Sequence, residues 1–277
     1  MEEKKRVYIV VKTYPTISKE YSELVCTAGI LEDGSWIRLY PVPFRKLEFD
    51  QKYPKYTWIE LKAERNTKDF RPETYRPNLD TIKVEPKPKK ADWNRRRQII
   101  LDKVKVYTDL SELIADAEEK SVSLAMFKPT QIIDFKIEAV DRDWDPNRLA
   151  ILQSLSMQQN LFQTPEEIEE EFKVVNKVPY KFSYTFEDCN GRRSTLMVED
   201  WEIGMLYFHC LEAANGDEKI ATQKVKEKYF DYFKTRDLYF FLGTTLQHHK
   251  VSRNPFIIIG TFYPPVQPQT DQLSFFD

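Results

Sequence analysis

Aromatic and cationic side chains alternate through the first hundred residues. Lys12, Tyr14, Trp36, Arg38, Tyr40, Phe44 and Arg45 fall on or beside segments with strand character. The densest cationic run is Lys87, Lys89, Lys90, Arg95, Arg96 and Arg97. It lies in a stretch from Lys83 to Lys105 with nine basic and three acidic residues. Nucleic acid needs positive charge for its phosphates and aromatic faces for its bases. The residues expected to contact it are Lys12, Tyr14, Trp36, Arg38, Tyr40, Arg45, Lys87, Lys89, Lys90, Arg95, Arg96 and Arg97. The competing reading buries Trp36 and Tyr40 in a core and leaves the cationic run as a solvated helix face.

Signals for chemistry are weaker. Asp80, Glu85 and Lys87 follow the Asp, then Glu-x-Lys order of a metal-dependent nuclease, but Pro86 interrupts the strand that order needs. Asp141, Asp143 and Asp145 are an oxygen-rich trio that capping before Pro146 explains more simply. His248 and His249 are adjacent, as are His209 and Cys210, and neighbours in sequence do not converge easily on one ion or one reacting atom. There is no GxxxxGK[ST] or GxGxxG loop. No catalytic residue, metal ligand or cofactor is assigned.

Short strands split by turns must position these groups. Arg6 to Val11 and Leu24 to Ile30 read as strands, and Asp33-Gly34 as a hairpin turn. Trp36, Arg38 and Tyr40 then share one face of a strand, with Ile37 and Leu39 on the other. Tyr56 to Ala63 alternates again. Asp92 and Asp109 are helix N-caps. Ile132 to Val140, Tyr180 to Phe186 and Arg193 to Val198 read as strands, the last two around Asn190-Gly191. Helices follow, striped by Trp201, Met205 and Phe208 and then by Ala221, Val225, Tyr229 and Tyr232. Leu238 to Leu242 and Phe256 to Tyr263 close the pattern. The acidic, polar stretch from about 156 to 178 reads as the connection between domains. The expected fold class is α+β: an OB-like barrel with added helices over 1–158, a smaller α+β unit over 179–263, and a flexible tail over 264–277.

The tail ends in Gln272-Leu273-Ser274-Phe275-Phe276. This pentapeptide resembles the motif by which bacterial DNA polymerases and repair proteins dock on the sliding clamp, with Phe275 where that family usually has Leu. The resemblance implies a clamp partner and a setting in DNA repair, replication or phage defence. The segment from Val7 to Arg45 resembles domains built from paired OB-type barrels in prokaryotic proteins of poorly known function. Such barrels often bind nucleic acid, which is what the resemblance implies.

Composition narrows the classes. The 277 residues are 41% hydrophobic and 14% aromatic, enough for a packed core. A net charge of −2 hides an asymmetry, because residues 1–110 carry +7 and residues 111–277 carry −9. The five-residue apolar stretch before Lys12 is too short for a signal peptide, and no run is long enough to span a membrane. Three scattered cysteines imply a reducing compartment, the cytoplasm. The sequence therefore points to a nucleic-acid-binding accessory protein, with DNA favoured over RNA. A metal-dependent nuclease and a protein-interaction module remain as alternatives.

Overall fold

The computed structural model describes residues 2–18, 22–86, 91–147, 149–150 and 175–267. Lys87, Lys89, Lys90 and the tail from residue 268 onward, with its Gln272–Phe276 motif, lie outside them.

The fold is α+β and begins with a closed barrel. Strands β1 (Glu3–Lys12), β3 (Ser22–Leu31), β4 (Trp36–Val42), β5 (Thr57–Arg65) and β6 (Thr74–Val84) join in the cyclic order β1, β3, β4, β6, β5. All neighbours are antiparallel except β4 and β6. The short β2 (Thr16–Ser18) pairs with the start of β3. This is the OB-like Greek-key barrel expected from the sequence.

Period-two alternation fills the barrel. Val7 and Ile9 of β1, Ile37 and Leu39 of β4, and Ile59, Leu61 and Ala63 of β5 point inward to one core. Two single-turn 3₁₀ helices after β4 close one end with Phe44, Leu47 and Tyr53. Tyr53 is buried and its hydroxyl lies 3.1 Å from the Thr27 hydroxyl. The hairpin before β4 turns at Gly34, whose φ of +88° only glycine adopts readily.

The outer face of β1 is as apolar as its inner face. Tyr8, Val10 and Val11 belong to a second core with Ala28 and Ile30 of β3, Leu124 and Met126, and Phe241, Ile259 and Phe262. The covering layer is a four-stranded sheet of β7 (Val106–Tyr107), β8 (Leu124–Phe127), β12 (Tyr239–Thr244) and β13 (Phe256–Phe262), in the order β13, β12, β8, β7. Helix α1 (Trp93–Leu101), capped by Asp92 as expected, adds Ile100 to this core.

The far face of that sheet packs on a third core. It is built with β9 (Gln131–Ala139), β10 (Tyr180–Glu187) and β11 (Arg193–Met197), which form a three-stranded sheet. Helices α2 (Leu110–Lys120), α3 (Trp201–Ala213) and α4 (Glu218–Lys226) complete it, α4 continuing into a π turn at Glu227–Tyr232.

The division expected between 158 and 179 does not coincide with a break between sheets. Strand β8 pairs with β12 and β9 pairs with β10, so residues on both sides of 158–179 share sheets. The barrel with α1 forms one layer, and the described residues from β7 onward form the other. Among the described residues, no helix is long and apolar enough to cross a membrane.

Candidate nucleic-acid interface

A cleft of about 500 Å³ opens where the barrel meets the second layer. Its barrel wall is made by Leu24 and Cys26 of β3 and by Arg38 and Tyr40 of β4, with Thr13 and Thr16 from the β1–β3 connection. Its second wall is the segment joining β5 to β6, with Asn66, Lys68, Asp69 and Arg71, together with Arg65 of β5 and Arg76 of β6. Glu199, Thr244 and Ile259 close it from the C-terminal layer. OB barrels bind oligonucleotides on their second and third strands and on the loops joining strands one to two and four to five. Leaving aside the short β2, β3 and β4 are the second and third barrel strands. The cleft therefore lies at that position.

The cations of the cleft divide into two groups. Arg38 and Arg71 are consumed internally. Arg38 is 2% exposed and donates to the Thr74 hydroxyl at 3.1 Å, the Ser123 hydroxyl at 2.8 Å and the Ser123 carbonyl at 3.0 Å. Glu73 accepts from both the backbone amide and the hydroxyl of Ser123. Burial pulls the Arg38 guanidinium below its ordinary value. Arg71 pairs with Asp69 at 2.6 Å and donates to the Thr244 carbonyl at 2.5 Å, which ties the loop to β12. Arg65 holds the same loop through the carbonyls of Asn66, Asp69 and Thr74. In contrast, Lys68 and Arg76 are exposed and no side-chain partner engages them among the described residues. They are the cations available to a phosphate, beside Tyr40, which is 37% exposed.

The residues expected from sequence thus separate. Arg38 is corrected from surface ligand to buried clamp: its face of β4 is covered by β8, so the guanidinium is held by protein groups instead of a phosphate. Trp36 is half-buried on the same face, its ring 5.9 Å from that of Phe241. Lys12 is half-buried, donates to the Tyr53 carbonyl and stands 4.3 Å from the Phe44 ring. The Tyr14 hydroxyl donates to the Asn176 carbonyl at 2.6 Å, and its ring faces Trp201. Arg97 pairs with Asp237 and donates to the Pro265 carbonyl. Arg96 stacks 4.2 Å from the Tyr56 ring. Arg45 and Arg95 are exposed, outside the cleft lining. Lys87, Lys89 and Lys90 lie outside the described residues.

Sequence reasoning missed Lys68, Arg76 and Glu199. The first two stand singly, without a motif. The half-buried Glu199 carboxyl has no hydrogen-bond or ion-pair partner among the described residues, and burial raises its pKa above the usual carboxylate range. It follows Val198, whose bridge to Ile258 carries it to the cleft wall. The acids weighed for metal chemistry are dispersed. Glu85 forms a two-pronged pair with Arg6, and among the described residues no three His, Cys, Asp or Glu side chains converge on a metal site.

Two family models divide the chain where the layers do. Residues 3–102, the barrel with α1, match a domain of unknown function, DUF8758. Residues 106–277 match a second domain of unknown function, DUF8757, which covers more than half of the chain. The chain belongs to the DUF8757 family. Its DUF8757 part starts at β7, and that part supplies Glu199 and Thr244 to the barrel's cleft. No curated protein matches the chain in sequence.

Proposed function

We propose that the protein is a nucleic-acid-binding accessory protein that takes a single strand, DNA in preference to RNA, into the cleft between the barrel and the DUF8757 layer. One observation carries this reading: the cleft sits on the barrel strands and loops that OB barrels use for oligonucleotides, with Lys68 and Arg76 on its wall. Phosphates meet these two cations and a base stacks on Tyr40. Arg38, Arg65 and Arg71 hold the cleft's shape without touching ligand.

The C-terminal Gln272–Phe276 motif, on sequence resemblance alone, recruits the protein to a sliding clamp in DNA repair, replication or phage defence. A weak peptide of this kind gains from tethering through effective concentration. Its three cysteines, all free thiols, fit the cytoplasm as the compartment. Fluorescence anisotropy with labelled single-stranded and duplex DNA tests the first part. Single-strand binding that Tyr40→Ala weakens is expected, and no binding to either at low salt refutes it. Clamp pull-down with Gln272→Ala/Leu273→Ala tests the second, and unchanged capture refutes it.

A further inference from the structure

A second group of cations lies at the other end of the β12–β13 hairpin from the cleft. Thr244 and Phe256 pair at the cleft end, and Tyr239 and Phe262 at the opposite end. There, Arg96 of α1, Lys228 of the π turn and Arg236 before β12 interlock with aromatic rings. The Arg96 guanidinium is 4.2 Å from the Tyr56 ring and 4.9 Å from Trp93. Trp93 is shared with Arg236, at 5.7 Å. Arg236 in turn shares Tyr232, at 5.5 Å, with Lys228, at 4.0 Å.

All three cations are half-buried, and no carboxylate forms an ion pair with any of them among the described residues. Glu202 lies within electrostatic range of Arg96 and Lys228, but it is paired with Lys55 at 3.0 Å. Burial lowers the Lys228 ammonium pKa, and the charge of Arg236 lowers it further. Ring faces attract each cation singly but do nothing to relieve repulsion between cations. Two other buried cations have acids, Lys55 with Asp200 and Arg71 with Asp69.

We propose that Arg96, Lys228 and Arg236 form an anion site for a phosphoryl group, separate from the cleft. A phosphate would accept from two or three of these donors at once, and Tyr232, which is partly exposed, borders it. The phosphoryl group is either free, as in pyrophosphate, or part of a strand's phosphodiester backbone.

Thermal unfolding of the full chain in phosphate-free buffer separates the sources. A saturable rise in Tm with pyrophosphate supports a free phosphoryl ligand. A rise with a short single-stranded oligonucleotide that Lys68→Ala/Arg76→Ala retains, without one for pyrophosphate, supports a backbone contact at this site. In either case Lys228→Met and Arg236→Gln each weaken the apparent affinity at least tenfold, while Lys68→Ala/Arg76→Ala leaves the pyrophosphate response unchanged. Lys228→Met also keeps or raises the ligand-free Tm, because it removes a repelling charge. That readout guards against a variant that merely fails to fold. No saturable rise with either probe in the parent overturns the proposal, as does a Lys228→Met protein that responds like the parent. The Lys228→Met result leaves the cleft reading untouched, whereas an oligonucleotide that gives no rise in the parent counts against the cleft as well.

Discussion

Replacing Arg38 by Met distinguishes a buried clamp from a surface phosphate ligand. Methionine fills much of the same apolar stem but donates nothing. Three hydrogen bonds disappear, and they join β4 to Thr74 and to Ser123 across 85 positions of sequence. The two hydroxyls can turn elsewhere, since Ser123 Oγ already lies 2.7 Å from Glu73. The Ser123 carbonyl keeps its bond from the Thr244 backbone amide at 3.0 Å, so no acceptor is left unpaired and the cost is that of the charge-assisted bonds themselves, about 1.5–3 kcal/mol. The upper end, about 3 kcal/mol, at about 2 °C per kcal/mol for a chain of this size lowers Tm by about 6 °C. Urea titration should show a lower midpoint with an unchanged slope, since the same surface is exposed on unfolding. A Tm within about 2 °C of the parent, together with a large loss of oligonucleotide affinity, would return Arg38 to the role expected from sequence.

Lys55→Met leaves the fully buried Asp200 carboxylate without its cation, 3.3 Å away in the parent. Denaturant titration should then report a loss of about 3–5 kcal/mol. Gly204 admits no side chain, because an added Cβ would stand 2.3 Å from the Tyr14 ring. Gly204→Ala should expel that ring, change Trp201 fluorescence and cost about 1–3 kcal/mol. His249 is buried, its Nε2–H donates to the Ala117 carbonyl and its Nδ1 accepts from Thr244, so burial lowers its pKa below 6.5. The unfolded chain then takes up the proton first as pH falls. Stability should decline as pH drops through 6.5 and level off below the folded value, and His249→Asn should flatten that segment of a Tm–pH curve.

Local signals in the sequence were sufficient where one side of an element decides its form. Alternation marked β4 and β5, Asp92 and Asp109 capped their helices, and Asn190-Gly191 turned β10 into β11. The parity of β4 was also legible: Ile37 and Leu39 face the barrel core, and Trp36, Arg38 and Tyr40 face outward. What covers that outward face was not. Strand β8, Leu124–Phe127, is buried at every residue, so it carries no alternation to betray it. Arg38 needs Ser123 and Arg71 needs the Thr244 carbonyl, and neither pairing leaves a mark near the arginine in sequence. The cleft escaped notice for the same reason. Its cations come one at a time from a loop and a strand, while the conspicuous Arg95–Arg97 run divides among solvent, Tyr56 and Asp237.

The proposed single strand lies in the cleft against Lys68 and Arg76. A salt titration of single-stranded oligonucleotide binding, comparing the parent with Lys68→Ala/Arg76→Ala, tests it most directly. Each phosphate neutralised on a single strand contributes about −0.7 to the slope of log affinity against log salt, so the double variant should be shallower by about 1.4. Tyr40→Ala, in the same series, should lose about 1–3 kcal/mol of affinity at every salt concentration with its slope intact. A double variant with the parent's affinity and slope would contradict the account, because the strand would then be bound elsewhere or not at all.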